Sequence, residues 1–249
     1  MDAELQSLRR KLKDHPDDSF LVEKLANTLN RLGRGWSNQP LPDGFTCSQH
    51  RVYLYRDIEF VYVDKFYITR YPAMINNLPI TYISLSGASA YCRVLGLCLP
   101  TQQQQLVATY GDGKVPCPCP CKLHTPDGHA EWVIANDGPP YYKWCNCAGT
   151  GYVKRKYPWG NNAPGREHIV FRSHPRSVQP LTVNGEPARP DGASPCGAHD
   201  TIGHVYQMTS DGSMLGGSYR QMLPMSMGVS HNSTSPDVGF RMVKNEEAR

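Results

Sequence analysis

The sequence loses regular periodicity after Gly111, and this feature limits which folds the chain can adopt. From that point onward, short apolar stretches alternate with turn residues, and neither a helical nor a strand period continues for long. The 249-residue chain contains 21 prolines and 22 glycines, about one residue in six, whereas roughly 12% is average. Because both residue types interrupt helices, a helical bundle or coiled coil is disfavoured. We expect a core surrounded by much ordered loop.

The first 34 residues differ from the rest and predict a helical hairpin. Apolar residues recur at helical spacing on both sides of a turn at 15–18. They are Leu5, Leu8 and Leu12 before the turn and Phe20, Leu21, Leu25, Leu29 and Leu32 after it. Asp17 and Asp18 can accept hydrogen bonds from free backbone N–H groups at the start of the second helix. One hairpin cannot bury both of its apolar faces, so it must pack on the following domain or on another chain.

The region that ends at Gly111 predicts short strands followed by two helices. Alternating apolar residues up to Ile68 fit two or three strands. Ser84 is placed to cap the first helix. Thr101 and Gln104 have the spacing of a capping box at the start of the second helix.

Charge and hydropathy disfavour several function classes. The formal net charge is +4, from 26 basic and 22 acidic residues, and no basic block exceeds Lys154-Arg155-Lys156. This charge is too dilute to predict nucleic-acid or membrane binding. No apolar run approaches the ~20 residues that a bilayer needs, and the polar start is unlike a signal peptide. We expect a protein made in the cytosol without a signal peptide.

Five short motifs, in this order, resemble those of the sulfatase-modifying-factor family, which includes the formylglycine-generating enzyme. The motifs are Val61-Tyr-Val-Asp64-Lys-Phe66-Tyr67-Ile68, Ile83-Ser84 through Tyr91-Cys92, Leu99-Pro100-Thr101, Tyr157-Pro158-Trp159-Gly160-Asn161, and the stretch from Gly203 to Arg241. The resemblance covers roughly residues 55–243. It implies an α+β, C-type-lectin-like fold, in which two helices pack against short twisted sheets. We assign residues 1–34 to the hairpin and 50–249 to the C-type-lectin-like domain.

Residues 112–156 form a cysteine-rich insertion where the family normally has a short loop. Five of the nine cysteines fall between positions 117 and 147. Clusters of this kind in a cytosolic chain are interpreted as metal ligands before disulfides. Cys119, Cys121, Cys145 and Cys147 would complete a tetrahedral, structural zinc site, with Cys117 or His124 as substitutes. Two disulfides across the same clusters, or reduced cysteines without metal, stay open as alternatives.

Departures from the family pattern argue against its chemistry. The resemblance implies a copper-binding cysteine pair between the Gly-Gly-Ser-Tyr turn and the terminal Gly-Phe-Arg in catalytic members, but residues 220–238 contain no cysteine. Oxidation of a substrate thiol needs soft thiolate ligands for Cu(I), which neutral methionine thioethers do not replace. We therefore expect a non-catalytic branch of the family.

The calcium site that the resemblance implies is also not expected. Gln207 stands where the family usually has a glutamate, and Ser194 stands where it has an asparagine ligand. A neutral amide removes the charge that a hard cation prefers. Three histidines in this third of the chain, His199, His204 and His231, are interpreted as structural, because no acidic residue shares ligand spacing with them.

The segment from Tyr219 to Val238 is the candidate recognition surface. It mixes hydrogen-bonding side chains with methionines and lacks hydrophobic periodicity. Its candidate ligand-binding residues are Tyr219, Arg220, Gln221, His231 and Asn232. In phage retroelement variable proteins, which the chain resembles, the same segment is diversified. Flexible thioethers suit protein recognition, whereas sugar binding in this fold usually recruits calcium and carboxylates, so a protein partner is favoured over a glycan.

Two functions remain after these exclusions. The favoured hypothesis is a non-catalytic binding or assembly module, with a phage structural or receptor-binding protein as its preferred form. It would contact a protein partner through the C-terminal face and the hairpin, and a homo-oligomer or larger assembly is left open. The alternative is a metal-dependent oxidoreductase of the same superfamily with an altered site.

Overall fold

Four α-helices lie in the described part of the chain, in the positions that the sequence predicts. They are α1 (Asp2–Asp14), α2 (Ser19–Arg31), α3 (Leu85–Val94) and α4 (Gln102–Tyr110). The structure is a computed structural model, and it describes residues 2–15, 18–31, 63, 66–111, 113–116, 130–133, 141–144, 152–171, 179–221, 227–228 and 234–245. None of the described helices combines the length and the apolar character that a membrane crossing requires.

Side-chain caps begin three of these helices. The Asp18 carboxylate accepts from the backbone N–H groups of Phe20 and Leu21 at 3.0 and 3.1 Å. The Ser84 hydroxyl accepts from the Gly87 N–H at 3.0 Å. The Thr101–Gln104 capping box is complete, with both reciprocal bonds present. Each cap satisfies orphan N–H groups and stabilises its helix by about 1 kcal/mol.

The described strands are short and form several small sheets. They are β1 (Phe66–Ile68), β2 (Met74–Ile75), β3 (Leu78–Pro79), β4 (Lys114–Pro116), β5 (Ala130–Val133), β6 (Tyr141–Trp144), β7 (Tyr152–Lys154), β8 (Thr182–Val183), β9 (Glu186–Pro187), β10 (Tyr206–Met208), β11 (Met214–Leu215), β12 (Met227–Gly228), β13 (Val238–Phe240) and β14 (Val243–Asn245). The four-stranded sheet has the order β12-β11-β10-β13, in which β10 and β13 are parallel. Separate helices and short, mostly antiparallel strands give the predicted α+β class.

The hairpin packs on the domain that follows it. Leu5, Leu8 and Leu12 of α1 and Val22 and Leu25 of α2 are at most 5% exposed. They belong to one apolar cluster with α3 and β13. Burying a leucine or valine side chain contributes roughly 1.5–3 kcal/mol, so these five residues fix the hairpin firmly. The sequence leaves open whether the hairpin packs on the following domain or on another chain, and in the structure it packs on the following domain.

A second cluster of buried apolar residues joins β1, α4 and β14. β1 pairs antiparallel with β14, which joins the first and the last of the described strands. Phe66 of β1, Val107 of α4 and Val243 of β14 are at most 1% exposed and share this cluster. The segment between Met208 and Val243 is therefore anchored at both of its ends by buried strands.

Candidate functional site

Arg241 organises a buried polar network beneath the four-stranded sheet. Its side chain is fully buried, and Nη1 donates to the carbonyl oxygens of Thr69 and Arg70 at 2.6 and 2.9 Å. Nη2 donates to the carbonyl oxygen of His199. Burial lowers the pKa of Arg241 to about 10, so the guanidinium stays charged at neutral pH. The arginine therefore ties the loop after β1 to the loop before β10.

Asp200 and Arg189 form an ion pair in the same network. Arg189 Nε lies 2.7 Å from Asp200 Oδ1, and both side chains are buried. Burial raises the pKa of Asp200, but the charge and hydrogen bond of Arg189, together with the charges of His204 and Arg241, outweigh it, and the pKa lies below its ordinary value. Asp200 has a φ of +54°, a left-handed conformation that Asp and Asn tolerate better than most residues.

His204 is buried beside this pair, and its structural role stays a prediction. Its Nε2 donates to the carbonyl oxygen of Gln179 at 2.8 Å, and its Nδ1 has no hydrogen-bond partner in the described part of the chain. Burial lowers its pKa, and the nearby carboxylate of Asp200 only partly opposes this effect. His199 is also buried, and burial lowers its pKa too.

The Gly-Gly turn that leads to the recognition segment requires glycine. Gly216 has a φ of +89°, and a Cβ there would lie 2.4 Å from the carbonyl oxygen of Thr201. Its own carbonyl oxygen accepts from the N–H of Gly203 at 2.6 Å. The turn is thus pressed against the backbone that carries the buried network, and it sets the direction of the next residues.

Asp237 fastens the two ends of the recognition segment together. Its Oδ2 accepts from the Ser218 hydroxyl at 2.7 Å, and its Oδ1 accepts from the Ser235 hydroxyl. The carboxyl group is largely buried, whereas the neighbouring Arg220 side chain is 55% exposed at 3.9 Å from it. These two hydrogen bonds hold the turn that contains Asp237 in place.

Arg220 lies on a rigid aromatic support. Its guanidinium carbon lies 5.8 Å from the ring centroid of Tyr219, which is itself only 5% exposed. A hydrogen bond to the Tyr219 side chain, together with the charge of Asp237, raises the pKa of Arg220. Gln221 donates through its amide to the hydroxyl of Tyr206 on β10. Burial and the charge of Asp237 raise the pKa of Tyr206.

The structure brings three of the five predicted recognition residues together. Tyr219, Arg220 and Gln221 lie side by side, while His231 and Asn232 lie outside the described residues. We call Tyr206, Tyr219, Arg220, Gln221 and Asp237 the recognition face. The sequence analysis did not assign Tyr206 to this face. The only signal for it in the sequence is its position next to Gln207, where the chain departs from the family motif.

The predicted zinc ligands Cys119, Cys121, Cys145 and Cys147 also lie outside the described residues. The strands that flank them are described, and Pro116 of β4 pairs with Tyr152 of β7. The chain therefore leaves and re-enters this ladder at the same end. Within the described ranges, no group of three or more His, Cys, Asp or Glu side chains is placed to hold a metal ion.

The sequence lacks the cysteine pair of the copper site and places uncharged side chains at two expected calcium ligands. The last cysteine of the whole sequence is Cys196, and its thiol contacts the Ser194 hydroxyl at 3.1 Å and the Ala108 carbonyl oxygen at 3.2 Å. Burial raises the pKa of Cys196. Gln207 donates through its amide to the carbonyl oxygen of Val205 at 3.0 Å. A protonated thiol binds Cu(I) poorly, and the Gln207 amide lacks the negative charge that a glutamate would offer Ca²⁺, while its buried Oε1 has no hydrogen-bond partner in the described part of the chain.

Comparisons with known proteins identify the family. The family model described as "Sulfatase-modifying factor enzyme 1-like domain" matches residues 65–246. The chain belongs to this family. A solved structure titled "Crystal Structure of CarF" is 14% identical to it with a TM-score of 0.44, and the match covers 84% of this chain and all of the other. No curated protein matches the chain. The predicted family and its C-type-lectin-like α+β fold are confirmed, whereas the likeness to phage retroelement proteins stays a prediction.

Proposed function

We propose that this member of the sulfatase-modifying-factor family is a non-catalytic binding module that contacts a protein partner through the recognition face. The observation that supports the proposal is the position of Arg220. It is an exposed, charged arginine on a buried tyrosine, beside a carboxylate that two serine hydroxyls already engage. Although it contacts Tyr219 and Asp237, more than half of this side chain is exposed and can contact another molecule.

The support under this face is suited to binding. Ser218, Tyr219 and Asp237 are buried, so the residues that carry Arg220 and Gln221 lose little conformational freedom when a partner arrives. Arginine and tyrosine are also the residue types enriched among the strongest contributors to protein interfaces. A rigid base with exposed hydrogen-bond donors is the arrangement expected of a protein contact.

The absence of cysteine from residues 220–238 supports the non-catalytic part of the proposal. A sensitive test is to incubate the purified chain with Cu(I), oxygen and a cysteine-containing peptide, beside a family member that keeps the cysteine pair. We expect the peptide thiol to be unchanged by this chain and consumed by the other. Conversion of the thiol by this chain would overturn the proposal and favour the oxidoreductase alternative.

The binding part is tested by comparing two double variants as bait in extract of the source cells. R220A/Q221A removes the exposed part of the recognition face. R166A/Q103A removes the same two residue types at exposed positions elsewhere. We expect proteins captured by the wild type to be retained by R166A/Q103A and lost by R220A/Q221A. Equal capture by both variants would show that the contact lies outside this face.

The hairpin is not the primary contact in this proposal, because its buried leucines already pack on the domain. Attachment through its outer side, a glycan ligand, self-association and incorporation into a phage particle stay predictions.

We also propose that Cys119, Cys121, Cys145 and Cys147 hold a structural zinc. The pairing of Pro116 with Tyr152, which flank the two cysteine clusters, supports this proposal. About one zinc per chain, lost in C145S/C147S together with protease resistance of residues 112–156, is the expected result. A metal-free wild type with two disulfides would overturn it.

A further inference from the structure

Tyr82 connects the recognition face to the N-terminal hairpin. Its backbone N–H donates to the carbonyl oxygen of Ser235 at 3.2 Å, two residues before Asp237. Its φ is +58°, a left-handed conformation that is a genuine outlier for a bulky residue. Such conformations cost roughly 1–3 kcal/mol and persist where surrounding contacts hold them, often at binding sites. The ring is only partly buried, so packing in the core does not account for it.

One cation of the hairpin contacts this ring. The Lys13 ammonium at the end of α1 lies 5.3 Å from the centroid of the Tyr82 ring, within the range of a cation–π contact. On the backbone side, Ser235, which accepts from the Tyr82 N–H, donates through its hydroxyl to Asp237, and Asp237 Oδ1 lies 3.9 Å from Arg220 Nη1. Tyr82 therefore links the hairpin to the group that pairs with Arg220.

The charge of this combined surface is positive. Arg10 is exposed and lies three residues before Lys13, so the two side chains are neighbours on the surface of α1. Asp14 is the acidic residue on the same stretch of helix, and Asp237 already accepts from two serine hydroxyls. Arg10, Lys13 and Arg220 thus outnumber the acidic groups beside them. Since the hairpin is fixed by its buried leucines, Lys13 is held in place before any partner binds.

We infer that the recognition face continues through Tyr82 onto Arg10 and Lys13 and binds an acidic peptide segment of the protein partner. This inference rests on the proposed function, and it adds the chemical class of the partner. Carboxylates pair with lysine and arginine through charge-assisted hydrogen bonds, while the tyrosine ring offers apolar contact to the peptide between them. Complementary charge of this kind also speeds association and fixes the orientation of the partner.

The inference is tested with fluorescein-labelled octaglutamate, octaglutamine and octalysine at low ionic strength. We expect octaglutamate to bind wild type and the other two peptides not to bind. The K13A/R220A variant should bind octaglutamate about tenfold more weakly or worse. K24A removes an exposed lysine on the other helix of the hairpin and should bind as wild type does. Binding should also weaken as salt is added, because exposed charge pairs are screened.

Several results would overturn the inference. They are equal binding of octaglutamine, preferential binding of octalysine, tighter binding of a single-stranded oligonucleotide than of octaglutamate, and unchanged binding by K13A/R220A. Y82N removes the aromatic ring but keeps a residue type that tolerates a left-handed backbone. A loss of octaglutamate binding in this folded variant would show that the ring contributes to binding in addition to the charges. If R220A/Q221A still loses the captured proteins while octaglutamate fails to bind wild type, the acidic class is wrong and the proposed function stands.

Discussion

Arg241 and Arg220 lie in the same C-terminal stretch, but their surroundings give them opposite roles. Arg241 is fully buried and donates to three backbone carbonyl oxygens. Arg220 has a side chain that is 55% exposed, and its acidic neighbour is already held by two serines. A buried charge must be satisfied by the fold, so it contributes to structure. An exposed charge on a rigid base is left for another molecule.

The backbone around each arginine explains this difference. Arg241 directly follows β13, whose residues are all buried, and this position directs it beneath the sheet. Arg220 follows the Gly216-Gly217 turn, which buries Ser218 and Tyr219 and leaves the next side chain outside. Substitutions in the buried network are therefore expected to change stability, and substitutions in the recognition face are expected to change binding.

The largest expected effect comes from R241M. Losing the guanidinium removes the side-chain donor from the carbonyl oxygens of Thr69 and His199, one of two donors from that of Arg70, and one of the positive charges near Asp200, so we expect a loss of about 3–5 kcal/mol in the free energy of unfolding. Urea unfolding followed by tryptophan fluorescence measures it. R241K keeps the charge without the planar fork, and it should lie between R241M and wild type. An R241M variant within about 1 kcal/mol of wild type would contradict the structural role.

D200N should have the next largest effect, because it removes the charge that pairs with Arg189. We expect a loss of about 1.5–3 kcal/mol at neutral pH. The pKa of Asp200 is lowered in the folded state, so its contribution is present above about pH 4 and is lost as the pH falls toward the folded-state value. Unfolding measured from neutral to acidic pH should therefore show wild type and D200N converging. Parallel curves over that range would show that the charge of Asp200 does not contribute to stability.

R220A/Q221A should separate binding from stability. Because both side chains lie at the surface, the free energy of unfolding should change by no more than about 0.5 kcal/mol for each substitution. Affinity for a partner identified by capture should fall by about tenfold or more if one residue contributes 1.4 kcal/mol or more. Calorimetry of unfolding and titration of the partner measure the two quantities. A strong loss of stability with unchanged affinity would show that these two side chains support the fold and do not bind the partner.

The smallest expected effect is the pH response of His204. Burial lowers its pKa, so the unfolded chain takes up a proton near pH 6.5 while the folded chain does not. Stability should therefore fall as the pH drops below about 6.5, by no more than about 1.4 kcal/mol per pH unit for this group. H204N keeps a residue suited to the φ of +57° and should flatten this slope. The slope that remains is the one expected from His199, whose pKa is also lowered. An unchanged slope would show that His204 ionises equally in both states.

Local features were predictable from the sequence, whereas contacts between distant segments were not. The caps at Ser84 and Thr101 depend on residues three positions apart, and the motifs between Phe66 and Arg241 carry the family. The contact of Lys13 with Tyr82 depends on how the hairpin docks, which no spacing in the sequence encodes.

The candidate site was only partly predictable for the same reason. Tyr219, Arg220 and Gln221 are consecutive and follow a recognisable turn, so the segment itself identified them. The position of Tyr206 in the recognition face depends on its pairing with Val238 across two parallel strands. The ion pair of Arg189 with Asp200 spans irregular chain without any period, and only the folded backbone brings these two side chains together.

Site-specific photo-crosslinking tests the central claim most directly. A photoreactive phenylalanine analogue replaces the exposed Thr234, next to Ser235 in the recognition segment, in one protein and the exposed Arg166 in a matched control, so that Arg220 is kept in both, and both are irradiated in extract of the source cells. We predict protein adducts from position 234 and none from position 166. Adducts at both positions alike, or at position 166 alone, would contradict the assignment of the recognition face as the place where this chain meets its partner.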